Sequence, residues 1–197
     1  MTLPRYGFDE LTPELRELLR LKFARLGYLG EFFQVAAAQP DALAGFVRFT
    51  EALKAALPDD LSEIVALTVA AETGNDYERI QHERLGLTLG LGEMWVRSVL
   101  RLDPDSDSEM TAAQRSVQRL VLSMVRTLGR QTDADLAVVE TFLAPTEVVG
   151  VLLMACRYIA HAAFANTLHL ISPVDSLFDA PDQTQAPPPT QQGNRHG

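Results

Sequence analysis

A single cysteine in 197 residues removes most thiol chemistry from consideration. Cys156 has no partner in the chain, so no intramolecular disulfide, no paired-thiol redox centre and no cysteine-rich metal site can form. It lies in the apolar run Val151-Leu152-Leu153-Met154-Ala155-Cys156, where a thiol is ordinarily a small core residue rather than a nucleophile. The four histidines show no metal-ligand spacing such as His-x-x-x-His, and neither a metal nor a cofactor is expected. Basic charge is also short. Lys and Arg number 17 against 26 Asp and Glu, and the net charge of −9 argues against binding nucleic acid or an anionic membrane surface. No Lys/Arg block offsets that charge locally. No run approaches the ~20 apolar residues of a membrane span. The N-terminus lacks the basic-then-apolar layout of a secretory signal, so a cytoplasmic protein is the expectation.

What remains is helical. With 47% hydrophobic and 22% charged residues, the chain suits one compact all-α domain over residues 1–178. Thr12-Pro13-Glu14 opens a helix, with Thr as cap and Pro in the first turn, and Gly27 closes it. A short helix is predicted over 31–38, and another from Gln39-Pro40-Asp41 to about Leu57. Helices over 76–89 and 93–102 precede a polar acidic linker, Asp103-Pro104-Asp105-Ser106-Asp107-Ser108. Beyond it Thr111 caps a helix ending near Leu128-Gly129, and helices over 133–142 and 145–170 follow. The last is long and very apolar, as a central or subunit-interface helix would be. From about residue 179 the composition turns to Pro, Gln, Thr, Gly and Asn, which cannot bury enough apolar surface to offset chain entropy. A disordered tail is expected there, and His196 within it is set aside.

The most informative stretch is 63–82. Glu63-Ile64-Val65-Ala66-Leu67-Thr68-Val69-Ala70-Ala71-Glu72 reads as an almost wholly apolar helix with a carboxylate near its start. Gly74-Asn75 breaks it, and a second helix carries Glu78 and His82 one turn apart. Folding back at the break would bring Glu63 and His82 face to face across a small pocket. A carboxylate that orients an imidazole is the minimum equipment for moving a proton.

These residues resemble the core of the carboxymuconolactone decarboxylase and alkylhydroperoxidase D-like family. There a Glu on one helix is followed by a Cys-x-x-Cys-x-x-x-His run opening the next. Aligned on His82, the family Glu falls on Glu63, and its two cysteines fall on Asn75 and Glu78. Tyr77-Glu78-Arg79-Ile80-Gln81-His82 resembles the Tyr-Glu-x-x-x-His run of members lacking the thiols. The likeness extends more loosely over residues 12–172. It implies an alkylhydroperoxidase D-like helical bundle, a homo-oligomer (trimer or hexamer), and a small carboxylic or lactone substrate. It also implies His82, Glu63, Glu78 and Tyr77 as the catalytic set of a decarboxylase or lyase-type acid–base enzyme. Tyr77 would hydrogen-bond a developing oxyanion. Two-cysteine peroxide reduction is excluded with both thiol positions substituted. A non-catalytic oligomer or ligand-binding protein of the same fold is the alternative.

Each of these residues also has a plainer role available. Glu63 follows Asp60 by three positions, so Asp60-Leu61-Ser62-Glu63 can be read as a variant capping box. Its stripe of Ala66, Leu67 and Ala70 argues instead for burial, where a carboxylate needs a partner. Glu78 and His82 can form a half-exposed i,i+4 pair of small energetic weight. Gly86, a poor helix former, hints that something packs closely beside that helix. Tyr77 can be a half-buried packing residue with a wet tip. Tyr158 and His161 share a face of the last helix and are candidates to line a pocket, although a hydrogen-bonded core histidine is the commoner case. His169 is weaker still. Trp95, Phe32, Phe33, Phe46 and Phe49 read as core or interface.

Overall fold

The computed structural model describes residues 3–106 and 109–178. The tail expected at 179–197 lies outside them, as do Asp107 and Ser108 of the acidic linker. Among the described residues the regular structure is helical: α1 (Pro13–Leu26), α2 (Glu31–Ala36), α3 (Pro40–Ala56), α4 (Asp59–Glu72), α5 (Asp76–Thr88), α6 (Glu93–Leu100), α7 (Ala112–Thr127), α8 (Asp133–Val139) and α9 (Pro145–Thr167). A 3-10 turn at Phe8–Glu10 precedes α1.

The caps fall where the side chains direct them. Thr12 Oγ1 accepts from the Leu15 amide, and Gly27 ends α1 in the left-handed region at φ +77°. Thr111 and Gln114 form a reciprocal capping box at the start of α7. Four helices stop two or three residues earlier than the pattern suggests, α2 at Ala36, α6 at Leu100, α8 at Val139 and α9 at Thr167. The Asp60–Glu63 capping box does not form. Helix α4 begins at Asp59, and the Asp60 carboxylate accepts a 2.6 Å hydrogen bond from Gln114 Nε2.

Helix α4 is the axis of the bundle. All ten residues from Leu61 to Ala70 are buried, as expected of a helix packed on every side. It lies against α5, α6, α7 and α9. Ile64, Leu67, Val96, Val117, Leu120, Val151 and Met154 form one apolar core around it. A second core joins α1, α2 and α3 to the far end of α9 through Leu15, Leu19, Phe32, Leu43 and Val47. Gly86 does admit a close neighbour, since a Cβ there would meet the Val96 side chain at 3.0 Å.

Helix α9 corrects two expectations. Its buried stripe runs through Val151, Ala155, Tyr158, Ala162 and Ala165, which places Cys156 on the outer face with Val149 and Leu153. Cys156 is exposed rather than a core residue. The helix is also long and apolar enough, at 23 residues, to cross a membrane by length and composition alone. Its buried face nevertheless carries Arg157 and His161, and both lie against a carboxylate of α5. That is the chemistry of a core helix with a polar site along it.

Close packing between α3 and α9 depends on Gly150, where a Cβ would sit 2.9 Å from Leu57 Cδ2. Gly150→Ala should therefore destabilise the protein by about 1–3 kcal/mol, read from the denaturation midpoint at unchanged slope.

Candidate functional site

The turn between α4 and α5 sets the site. Gly74 takes φ +62°, a backbone geometry that side chains rarely adopt, and the chain reverses there. The buried Asn75 amide donates to the Ala70 carbonyl at 2.8 Å, and its side-chain Oδ1 accepts from the Glu78 amide at 3.3 Å. Asn75 thus holds both sides of the turn and caps α5. This direction brings Glu78 and His82 inward, where α5 faces α4 and α9.

Glu63, only 2% exposed, accepts from His82 Nδ1 at 2.7 Å. The other ring nitrogen, Nε2, lies 3.1 Å from the Tyr158 hydroxyl and 3.3 Å from Glu78 Oε2. Glu78 also faces α9, with Oε1 3.0 Å from His161 Nδ1 and Oε2 3.6 Å from Arg157 Nη1. The His161 contact is close but off the line of a hydrogen bond, and neither nitrogen of this buried ring has a hydrogen-bond partner. The expectation of a hydrogen-bonded core histidine is therefore not met. His82 and Tyr158 meet edge to face at 5.2 Å between ring centroids.

The electrostatics follow from burial opposed by pairing. Burial alone would lower the His82 pKa, but the Glu63 carboxylate, and then Glu78, overcome it and raise it from 6.5 to about 9. Burial would raise Glu78, yet His161, His82 and Arg157 together hold it well below the usual carboxylate range. Burial depresses His161, with Glu78 opposing only in part. Burial likewise pushes the Tyr77 and Tyr158 phenols up. At neutral pH, His82 is consequently an imidazolium between two carboxylates, and its Nε2–H can donate.

This cluster forms one wall of a cavity of about 270 Å³. Glu78, His82 and Tyr158 line it, while Glu63 stands behind His82 and away from the opening. Tyr77 reaches the cavity too, but its hydroxyl oxygen is tied to α2, accepting from the Phe32 amide at 3.2 Å. The phenol in contact with His82 is Tyr158. The opposite walls come from α1 and α3, through Lys22, Arg25, Leu26, Thr50 and Lys54. Neither Arg157 nor the two lysines stood out in the sequence as site residues. An arginine inside the apolar run of α9 was the one available signal, since such a residue is rarely buried without a partner. Exposed His169 takes no part. Among the described residues no cluster of His, Cys, Asp and Glu is arranged to hold a metal.

No protein-family model and no curated relative matches the sequence. Solved structures do match. An uncharacterized peroxidase-related protein from Ralstonia eutropha JMP134, with an alkylhydroperoxidase AhpD core, superposes with a TM-score of 0.74 at 15% identity, covering 87% of this chain and 93% of that one. A peroxidase-related protein from Silicibacter sp. TM1040 gives 0.73 at 16% identity, over 87% and 90%. The debrominase Bmp8, in a variant bound to 2,3,4-tribromopyrrole, gives 0.74 at 11% identity, over 87% and 91%. The chain thus has the alkylhydroperoxidase D-like all-helical fold, as its sequence resemblance implied.

His82 should titrate near pH 9 by histidine NMR, and Glu63→Gln should bring that midpoint down. A wild-type midpoint at or below 6.5 would contradict the assignment. Because the folded pKa is the higher one, this pairing stabilises the protein fully below about pH 6.5 and is lost as pH rises through about 9.

Proposed function

We propose that this chain is an acid–base enzyme of the decarboxylase or lyase type, acting on a small carboxylic or lactone substrate in the cavity beside His82. The observation that carries the reading is the chain of contacts from Glu63 through His82 to Tyr158, which runs from the core to the cavity wall. In this role the His82 imidazolium is the proton donor. Glu63 fixes the ring through Nδ1 and balances its charge, leaving Nε2 to face the substrate. When the bond to a departing carboxylate breaks, the electron pair stays on the carbon next to a carbonyl and carbon dioxide leaves. Nε2 then delivers its proton to that carbon, and the ring regains one from solvent. Tyr158, bonded to Nε2, is placed to hydrogen-bond an oxygen that gains charge in the same step.

The debrominase that shares this fold gives support, since its complex holds a small ring compound. Thiol peroxidase chemistry at this site is disfavoured, because Cys156 lies on the outer face of α9 and does not line the cavity.

The test is incorporation of solvent deuterium into small keto-acids and lactone acids incubated with the protein in heavy water. The wild type should catalyse exchange or decarboxylation of at least one. His82→Gln, folded by circular dichroism, should lose about 10²–10⁴-fold, the usual contribution of a positioned acid–base group. Exchange undiminished in His82→Gln would remove the histidine from the mechanism.

A further inference from the structure

The cavity is far more basic than the molecule around it. Five basic residues line it, Lys22, Arg25, Lys54, Arg84 and Arg157, and Glu78 is its one acidic lining residue. The chain as a whole carries −9. It has only two lysines among its 17 basic residues, and both line this space from different helices, α1 and α3.

Arg157 supplies the more pointed observation. Arg157 is 7% exposed, and its guanidinium is held over Tyr158 at 4.1 Å and Phe46 at 4.8 Å from the ring centroids. Nε donates to Thr50 Oγ1 at 3.1 Å, which fixes the plane of the fork. Nη1 is buried without a hydrogen-bond partner, and its approach to Glu78, at 3.6 Å, is too long to be one. A buried donor without a hydrogen-bond partner, on a residue that lines the cavity, is a binding group for whatever fills that cavity.

We propose that Arg157, assisted by Lys22 and Lys54, is the carboxylate-binding arm of the site and selects organic anions over neutral molecules of the same shape. The carboxylate of the ligand would accept from Nη1 and lie within the field of the two ammonium groups. The remainder would face His82 and Tyr158. Lys22 is consistent with this placement. Burial and then the nearby Lys54 lower its pKa to about 8, against the opposing pull of Glu51 and Glu78, so an anion close by relieves a strained charge. The inference rests on the acid–base reading for what happens to the ligand, but not for its binding.

The experiment is therefore one of binding, with benzoate and its neutral analogue benzyl alcohol titrated calorimetrically into the full-length protein at pH 7. Benzoate should bind at least tenfold more tightly than benzyl alcohol. Arg157→Gln should remove that preference, and Lys54→Gln, at a half-exposed position that leaves the core intact, should reduce it severalfold. Inorganic phosphate, run as a competitor, should displace benzoate poorly. Equal affinity for the two ring compounds would overturn the proposal, and so would unchanged benzoate binding in both variants or tighter binding of phosphate. Selective binding together with no turnover of any acid would leave this anion site standing and defeat only the acid–base reading.

Discussion

A carboxylate that cannot reach water must find a positive partner, and Glu63 finds His82. Moving an unpaired carboxylate into an apolar interior costs several kcal/mol, so the bond between them constrains everything nearby. It requires that α5 return along α4, which in turn requires the sharp turn at Gly74 and the cap at Asn75. It also charges the imidazole, which brings in Glu78 on the far nitrogen. Glu78 then needs Arg157 and His161. Two carboxylates, one imidazolium and one guanidinium form a balanced set at the junction of two apolar cores, and removing any one of them leaves a buried charge exposed to the others.

Much of this is legible in the amino-acid sequence. Helical periodicity and caps placed most elements, because Thr12, Thr111 and the closing glycines act locally. The Glu63–His82 pairing was legible because both lie in one short segment with a single break between them. The exposure of Cys156 is hidden for an equally physical reason: a uniformly apolar run does not say which of its faces is turned inward. The capping alternative for Glu63 failed because Asp60 found a distant partner in Gln114, a contact across 54 residues that local pattern cannot reveal. The basic half of the cavity was hidden in the same way. Lys22, Lys54 and Arg157 come from three helices separated by much of the chain, and no spacing rule joins them.

The contrast between the acidic exterior and the basic cavity bears on how a ligand arrives. A net negative molecule repels anions at long range, while a cavity lined by five basic residues concentrates a local positive field. Salt screens the long-range part within about 8–10 Å, leaving the cavity field largely intact. His82 stays charged beside this basic lining because Glu63 and then Glu78 lie against its ring. In the proposed roles, a proton donor and an anion receptor would share one space.

Placing both lysines at one opening has a consequence for chemical labelling. Reagents that reductively alkylate primary amines would find, apart from the chain terminus, no side-chain amine except those two. The arginines would pass through such treatment untouched. Amine coupling, normally a scattershot modification, would here report on the occupancy of a single chamber.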